Sequence, residues 1–188
     1  QRLQAEQDQQ ASAGQVGHSL RDCLRDRQIW LAILVYFCHQ ISIYTVIFFL
    51  PGIIGTYGQL SPLQIGTLNS VPWIAAAIGA AWLPRFATHP QRCRRMLLAG
   101  LATMAAGLLV AALAVKASPA LGLLGFSLTA LMFFVVQSVV FLFPASRLAG
   151  AGLAGGIALV NTCGLVGGFI GPTVMGMIEQ ATGSTRNG

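Results

Sequence analysis

The chain has 188 residues, of which 55% are hydrophobic and 9% are charged, and its formal net charge is +6. Soluble domains carry about a quarter of their residues as charges, so this composition excludes a water-soluble domain. The acids are also segregated: Glu6, Asp8, Asp22 and Asp26 precede Ile29, Glu179 follows Ile178, and none lies between. A bilayer explains that gap, because a carboxylate at mid-membrane is strongly unfavourable.

Residues Gln1 to about Leu20 are polar, Gln-rich and aperiodic, which predicts a solvated segment. They lack the basic start and short apolar core of a signal peptide. With no initiating Met, the chain reads as an internal piece of something longer. Five apolar runs follow: 29–50, 63–83, 96–115, 120–143 and 153–178. Each holds about 20 residues or more, enough to cross ~30 Å of hydrocarbon as a helix. None alternates as a barrel strand would. Pro51-Gly52, Ser61-Pro62, Pro84, Ser118-Pro119 and Pro144 punctuate the runs and predict helix ends there.

The loop charges predict an orientation. Arg2, Arg21, Arg25 and Arg27 precede the first helix, Arg85, Arg92, Arg94 and Arg95 join the second to the third, and Arg147 joins the fourth to the fifth. The alternate loops hold Lys116 and Arg186. Cytoplasmic loops collect Lys and Arg, so the N-terminus is expected inside the cell and the tail beyond the fifth helix outside. Trp30 and Trp82 then fall at the inner interface. The basic residues are accounted for by topology, so the positive charge is no argument for nucleic acid, and membrane lipid is the expected surround. Cys23, Cys38, Cys93 and Cys163 are scattered singly with no neighbouring His cluster, so no disulfide framework, metal site or cofactor is expected.

Polar residues inside the spans are the candidates for function. Tyr36, His39, Gln40 and Tyr44 share an arc of roughly 140° on the first helix. They either line a cavity or join helices by hydrogen bonds. Gln137 and Ser138, on the fourth helix, suit a packing role or a substrate role equally. Pro72 breaks the second helix beside Trp73, where bending is the simpler effect. The stretch "GGIALVNTCGLVGGFIGP", Gly155 to Pro172, is glycine-dense. Gly152 and Gly156, Gly164 and Gly168, and Gly167 and Gly171 are each four apart, a spacing that lets helix backbones approach closely in lipid. Asn161, the one strongly polar side chain in this helix, must face protein or water. Its depth in the membrane matches that of Tyr36. Close packing, room for motion and one amide make up a transporter's gating helix.

These residues also resemble a family. The stretch ending in Gly171-Pro172 is similar to the eleventh helix of the anion:cation symporter group of the major facilitator superfamily, which includes sugar-acid, tartrate and phthalate permeases. Asp26 to Ile54 resembles the seventh helix of that group, and "LSPLQIGTLNSVPWIAAAIG" resembles the eighth. The resemblance covers Leu20 to Gly183. Leu165, Trp73 and Thr88 depart from the family pattern, which more often has Asn, Tyr and Asp there. The resemblance implies an all-α membrane protein whose five spans correspond to helices seven to eleven of a twelve-helix fold. Residues 1–28 would form the cytoplasmic loop between halves, and residues 179–188 an outer loop before a missing sixth helix. It implies the carboxyl half of a bacterial inner-membrane symporter that moves a small organic anion, a sugar acid or dicarboxylate, with a proton by alternating access. Tyr36, His39, Gln40, Tyr44, Gln137 and Asn161 are the candidate substrate residues, with Gly164, Gly167, Gly168, Gly171 and Pro172 serving packing and gating. The spans contain no Arg or Lys. The missing amino half is therefore expected to supply the anion's cationic partner and any proton-carrying carboxylate. Without GxSxG, HExxH or an intramembrane acid, nothing supports a hydrolase. The alternative is a non-transporting membrane scaffold or a decayed transporter fragment.

Overall fold

The computed structural model describes residues 20–114, 118–148 and 150–183. The expected solvated segment before Leu20, Lys116 and Arg186 lie outside the described residues. A short helix, α1 (Leu20–Arg25), leads into five long ones: α2 (Arg27–Gly55), α3 (Pro62–Trp82), α4 (Pro90–Ala114), α5 (Pro119–Arg147) and α6 (Gly150–Thr182). The described residues contain no strand.

Local chemistry sets the helix starts. Asp26 caps α2, its carboxylate accepting from the Gln28 amide at 2.8 Å. Ser61 and Gln64 form a reciprocal capping box at the start of α3, with Pro62 in the first turn. Ser118 caps α5 ahead of Pro119. These are the Ser-Pro steps expected as boundaries.

Other prolines expected to end helices do not. Pro51 and Pro144 lie inside α2 and α5, which run on to Gly55 and Arg147. A proline forfeits one hydrogen bond to the preceding turn, and a last turn held by its neighbours tolerates that loss. Beyond Pro144, the Leu148 amide closes onto the Pro144 carbonyl at 3.0 Å. Pro84 behaves as expected and opens a 3₁₀ turn, Pro84–Phe86. At 29 residues, α2 reaches about 44 Å, beyond the hydrocarbon thickness.

Four helices are long and apolar enough to cross a membrane: Arg27–Gly55, Pro90–Ala114, Pro119–Ser146 and Gly152–Thr182. α3, the remaining one of the five expected spans, is 21 residues long, with Gln64, Thr67, Asn69 and Ser70 in its first half.

α2 lies along α6, α4 lies along α5, and α5 also receives α3 and α2. α5 is therefore the hub, and its Ala130, Phe133, Val136 and Val140 are buried with Tyr36 of α2, Ala76 of α3, Met104 of α4 and Val160 of α6. Two seams of small residues bring helices close. On α6, a methyl group at Gly167 would meet the Phe37 carbonyl, and one at Gly171 would meet Ile41 and Thr45 of α2. On α4 and α5, Gly107 and Gly125 face each other, and a methyl group on either would meet the opposing backbone. Gly100 is closed by Val136 in the same seam. The Thr129 hydroxyl lies 3.2 Å from the Met104 carbonyl there and 3.0 Å from the Gly125 carbonyl.

The third glycine pair of α6 does something else. A methyl group at Gly156 would meet Leu148, with Cys23 close by, and the Cys23 thiol donates to the Gly152 carbonyl at 3.4 Å. That pair seats α1 rather than a second long helix. The contact also gives part of the segment expected as a loop, Leu20–Arg25, a folded place against α6.

Candidate functional site

Tyr36, His39, Gln40 and Asn161 gather where α2, α5 and α6 meet. The Tyr36 hydroxyl reaches across to Asn161 Oδ1 of α6 at 3.5 Å, the long edge of hydrogen-bond range. The Tyr36 ring stacks on the His39 imidazole, with centroids 5.9 Å apart and planes 15° from parallel. It meets Phe141 of α5 edge-on at 5.0 Å. His39 places Nε2 2.9 Å from the Phe133 carbonyl and Nδ1 3.1 Å from Gln40 Oε1. A chain of contacts thus runs from Asn161 on α6 through Tyr36 and His39 on α2 to the backbone of α5.

Depth divides the set. Tyr36, His39 and Gln40 are 1%, 1% and 4% exposed. Tyr44 and Gln137 are half-buried, and Asn161 is exposed. The arc shared by the α2 residues is wider than the open sector of that helix, because α5 covers one flank and α6 the other. Tyr36, His39 and Gln40 are therefore closed off between these helices, whereas Asn161 is open to the surface. Ser138 turns its hydroxyl back to the Phe134 carbonyl at 2.7 Å.

The glycines of α6 shape the same place. Gly164 lies against the Tyr36 ring and Gly168 against the Tyr44 ring. The small residues that let α6 approach α2 are also the seats of both tyrosines. Pro172 lies within α6, which continues unbroken to Thr182.

Phe133, Phe141 and Thr129 were not singled out by sequence. Phe133 touches the His39 ring edge-on at 6.0 Å and the Trp73 ring at 6.1 Å. An apolar residue in an apolar run carries no signal that its carbonyl will be used. Gly107 and Gly125 carried a signal only as a pair, one on each helix, and spacing within a single helix does not reveal that.

An open pocket of about 480 Å³ lies elsewhere, bounded by Gln28, Thr88, His89, Cys93, Phe143 and Ser146 at the arginine-bearing end. Arg92 donates there to the Thr88 hydroxyl at 3.2 Å. Arg85 lies over the exposed Trp82 ring at 4.8 Å. Gln28 precedes Tyr36 by about two helical turns, so this pocket is separate from the Tyr36–Asn161 pair. Among the described residues no group of His, Cys, Asp and Glu could hold a metal ion.

Comparison with known proteins gives this arrangement its family. A model of the Major Facilitator Superfamily matches residues 2–172. The chain is 32% identical over 170 residues to the inner membrane transport protein RhmT of Escherichia coli (strain K12), covering 90% of this chain and 39% of that protein. It is 31% identical over 180 residues to a "Putative tartrate transporter" of Agrobacterium vitis, covering 96% and 39%. It is 33% identical over 165 residues to a quinolone resistance transporter of Acinetobacter baumannii, covering 88% and 38%. The chain spans about two fifths of the length of these relatives. Long apolar helices packed through glycine seams and a family match across most of the chain lead to one conclusion: this chain belongs to the major facilitator superfamily of membrane transport proteins, not to a class of enzymes.

Proposed function

We propose that this chain forms part of the carboxyl half of a secondary active transporter for a small organic anion, a sugar acid or dicarboxylate, working by proton symport with alternating access. The observation that carries the reading is the exposed Asn161 amide held beside the Tyr36 hydroxyl, with Tyr44 seated on Gly168 of the same helix. These are neutral hydrogen-bonding groups of the kind that orient hydroxyls and carboxylates of a small polar solute. A relative whose printed name mentions tartrate transport supports an anion of that class. The spans offer no Arg or Lys, so the anion's charge is met from outside these helices, by the amino half that faces them. Substrate sites of such carriers lie near the midplane between two halves that rock about it, and the glycine-seated α2–α6 contact suits that motion. The arginine-bearing end, with Arg85, Arg92, Arg94 and Arg95, faces the cytoplasm in this reading, and the membrane is the bacterial inner membrane.

The test is uptake and counterflow of labelled hydroxy acids in vesicles containing the full-length transporter, with Asn161→Ala alongside. Saturable uptake that weakens in the variant supports the reading. Absence of uptake at any pH, or inhibition by a quinolone with no transport of hydroxy acids, would overturn it in favour of a scaffold or a drug carrier.

A further inference from the structure

His39 has an unusual pair of partners. Both ring nitrogens lie on oxygens: Nε2 on the Phe133 carbonyl at 2.9 Å, and Nδ1 on Gln40 Oε1 at 3.1 Å. A neutral imidazole has one N–H and one lone pair, so it can donate to only one of them. A doubly protonated ring donates to both. The neutral ring keeps both contacts as well if the Gln40 amide turns half a revolution and offers its NH₂ to Nδ1. The cluster thus has two complete hydrogen-bonding states that differ by one proton, and the ring occupies the same place in each.

We propose that His39, clasped between Gln40 and the Phe133 carbonyl, is a proton-binding site of this chain, taking its second proton on the Nδ1 lone pair while the Gln40 amide turns its oxygen to accept the new N–H. Loss of the proton reverses both changes. No other charge competes nearby. On α2 the titratable neighbours are Tyr36, Cys38 and Tyr44, and on α6 Cys163, while the spans of α3 and α5 hold none. No Asp, Glu, Lys or Arg lies between Arg27 and Arg85, between Pro119 and Ser146, or between Gly150 and Ile178.

The site is wired to the proposed substrate contact. The Tyr36 ring lies face to face with the imidazole at 5.9 Å, within the range at which an aromatic face feels a cation. The hydroxyl of the same tyrosine reaches Asn161. A charge on His39 is therefore sensed one ring away from the exposed amide. This use of the proton rests on the symporter reading. Its binding does not.

The experiment separates the two. In the full-length transporter with every histidine but His39 replaced by Gln, His18 and His89 among them, the ¹⁵N-labelled His39 ring is followed by solid-state NMR in lipid vesicles between about pH 8 and pH 5. The expected result is one ring N–H at the upper end and two at the lower. Gln40→Leu and the unbranched Gln40→Met, which lack both amide ends, are expected to lose the second N–H over the same range. A ring that stays singly protonated throughout, or a second N–H that forms as readily in both Gln40 variants, overturns the site. Uptake by the full-length transporter that ignores pH while His39 titrates as described would instead overturn the symport reading and leave the proton site standing.

Discussion

Gly164 of α6 and Tyr36 of α2 interlock: a methyl group on the glycine would overlap Cδ1, Cε1 and Cγ of the tyrosine ring. The same ring holds the hydroxyl that reaches Asn161, three residues before Gly164 on α6. Helix packing and the proposed site are therefore one feature. Gly164→Ala should force the ring or the helix to move, with a cost of about 1–3 kcal/mol from overpacking, and Gly164→Leu should cost more. Gly176 of the same helix has open space where a side chain would go, so Gly176→Ala should leave stability within about 0.5 kcal/mol of the parent. Thermal unfolding in detergent checks the pair, and equal losses at both positions would deny the interlock.

Asn161 offers the opposite behaviour. Its side chain is exposed and meets Tyr36 only at 3.5 Å, so removing it should cost little stability. In the full-length transporter, Asn161→Ala and Tyr44→Phe should each weaken apparent substrate affinity or turnover about two- to tenfold, the worth of one hydrogen bond, with unchanged abundance in the membrane. Unchanged transport kinetics in a destabilised Asn161→Ala protein would make Asn161 a packing residue.

The α4–α5 seam should depend on Thr129. Its buried hydroxyl lies within 3.2 Å of the Met104 carbonyl on the facing helix. Thr129→Val keeps the shape and removes that link, at a cost of about 0.6 kcal/mol, the average for an interhelical bond in a membrane protein. Gly107→Leu, which places bulk against the opposing backbone, should prevent the two helices from meeting. Comparing the melting temperatures of the two variants checks the ranking, and a Thr129→Val loss equal to that of Gly107→Leu would contradict it.

Orientation is open to chemical labelling. With Cys23, Cys38 and Cys163 replaced, Cys93 should resist an impermeant thiol reagent in intact cells and react once the cytoplasmic face is opened. The reaction should be slow even then, since Cys93 is half-buried and its thiol donates to the Ala87 carbonyl at 3.4 Å. Labelling of intact cells would reverse the assigned sidedness.

Transport should need more than these helices. Residues 1–188 expressed alone should insert into membranes and show no saturable uptake, because no Arg or Lys lies within their spans to meet an anion. Saturable uptake of a labelled sugar acid by this piece alone would refute the division of labour between halves.

The sequence by itself determined that the chain is helical and membrane-embedded. A long apolar run without charge has few other ways to satisfy its backbone in lipid. Ser61-Pro62 and Ser118-Pro119 marked true helix starts because a cap is a local interaction. Pro51 and Pro144 misled because ending a helix depends on what the next turn packs against. The α6 glycines pointed to close packing from their spacing alone, but only the tertiary structure decided that Gly164 and Gly168 seat Tyr36 and Tyr44, while Gly156 seats Leu148 beside α1. It also decided which polar residues face outward. Helical periodicity placed Tyr36, His39, Gln40 and Tyr44 on one arc, but the neighbours on either flank of that arc come from α5 and α6, 94 and 125 residues along the chain. The Phe133 carbonyl that His39 meets belongs to the backbone, which every residue possesses, so no pattern of side chains could have announced it.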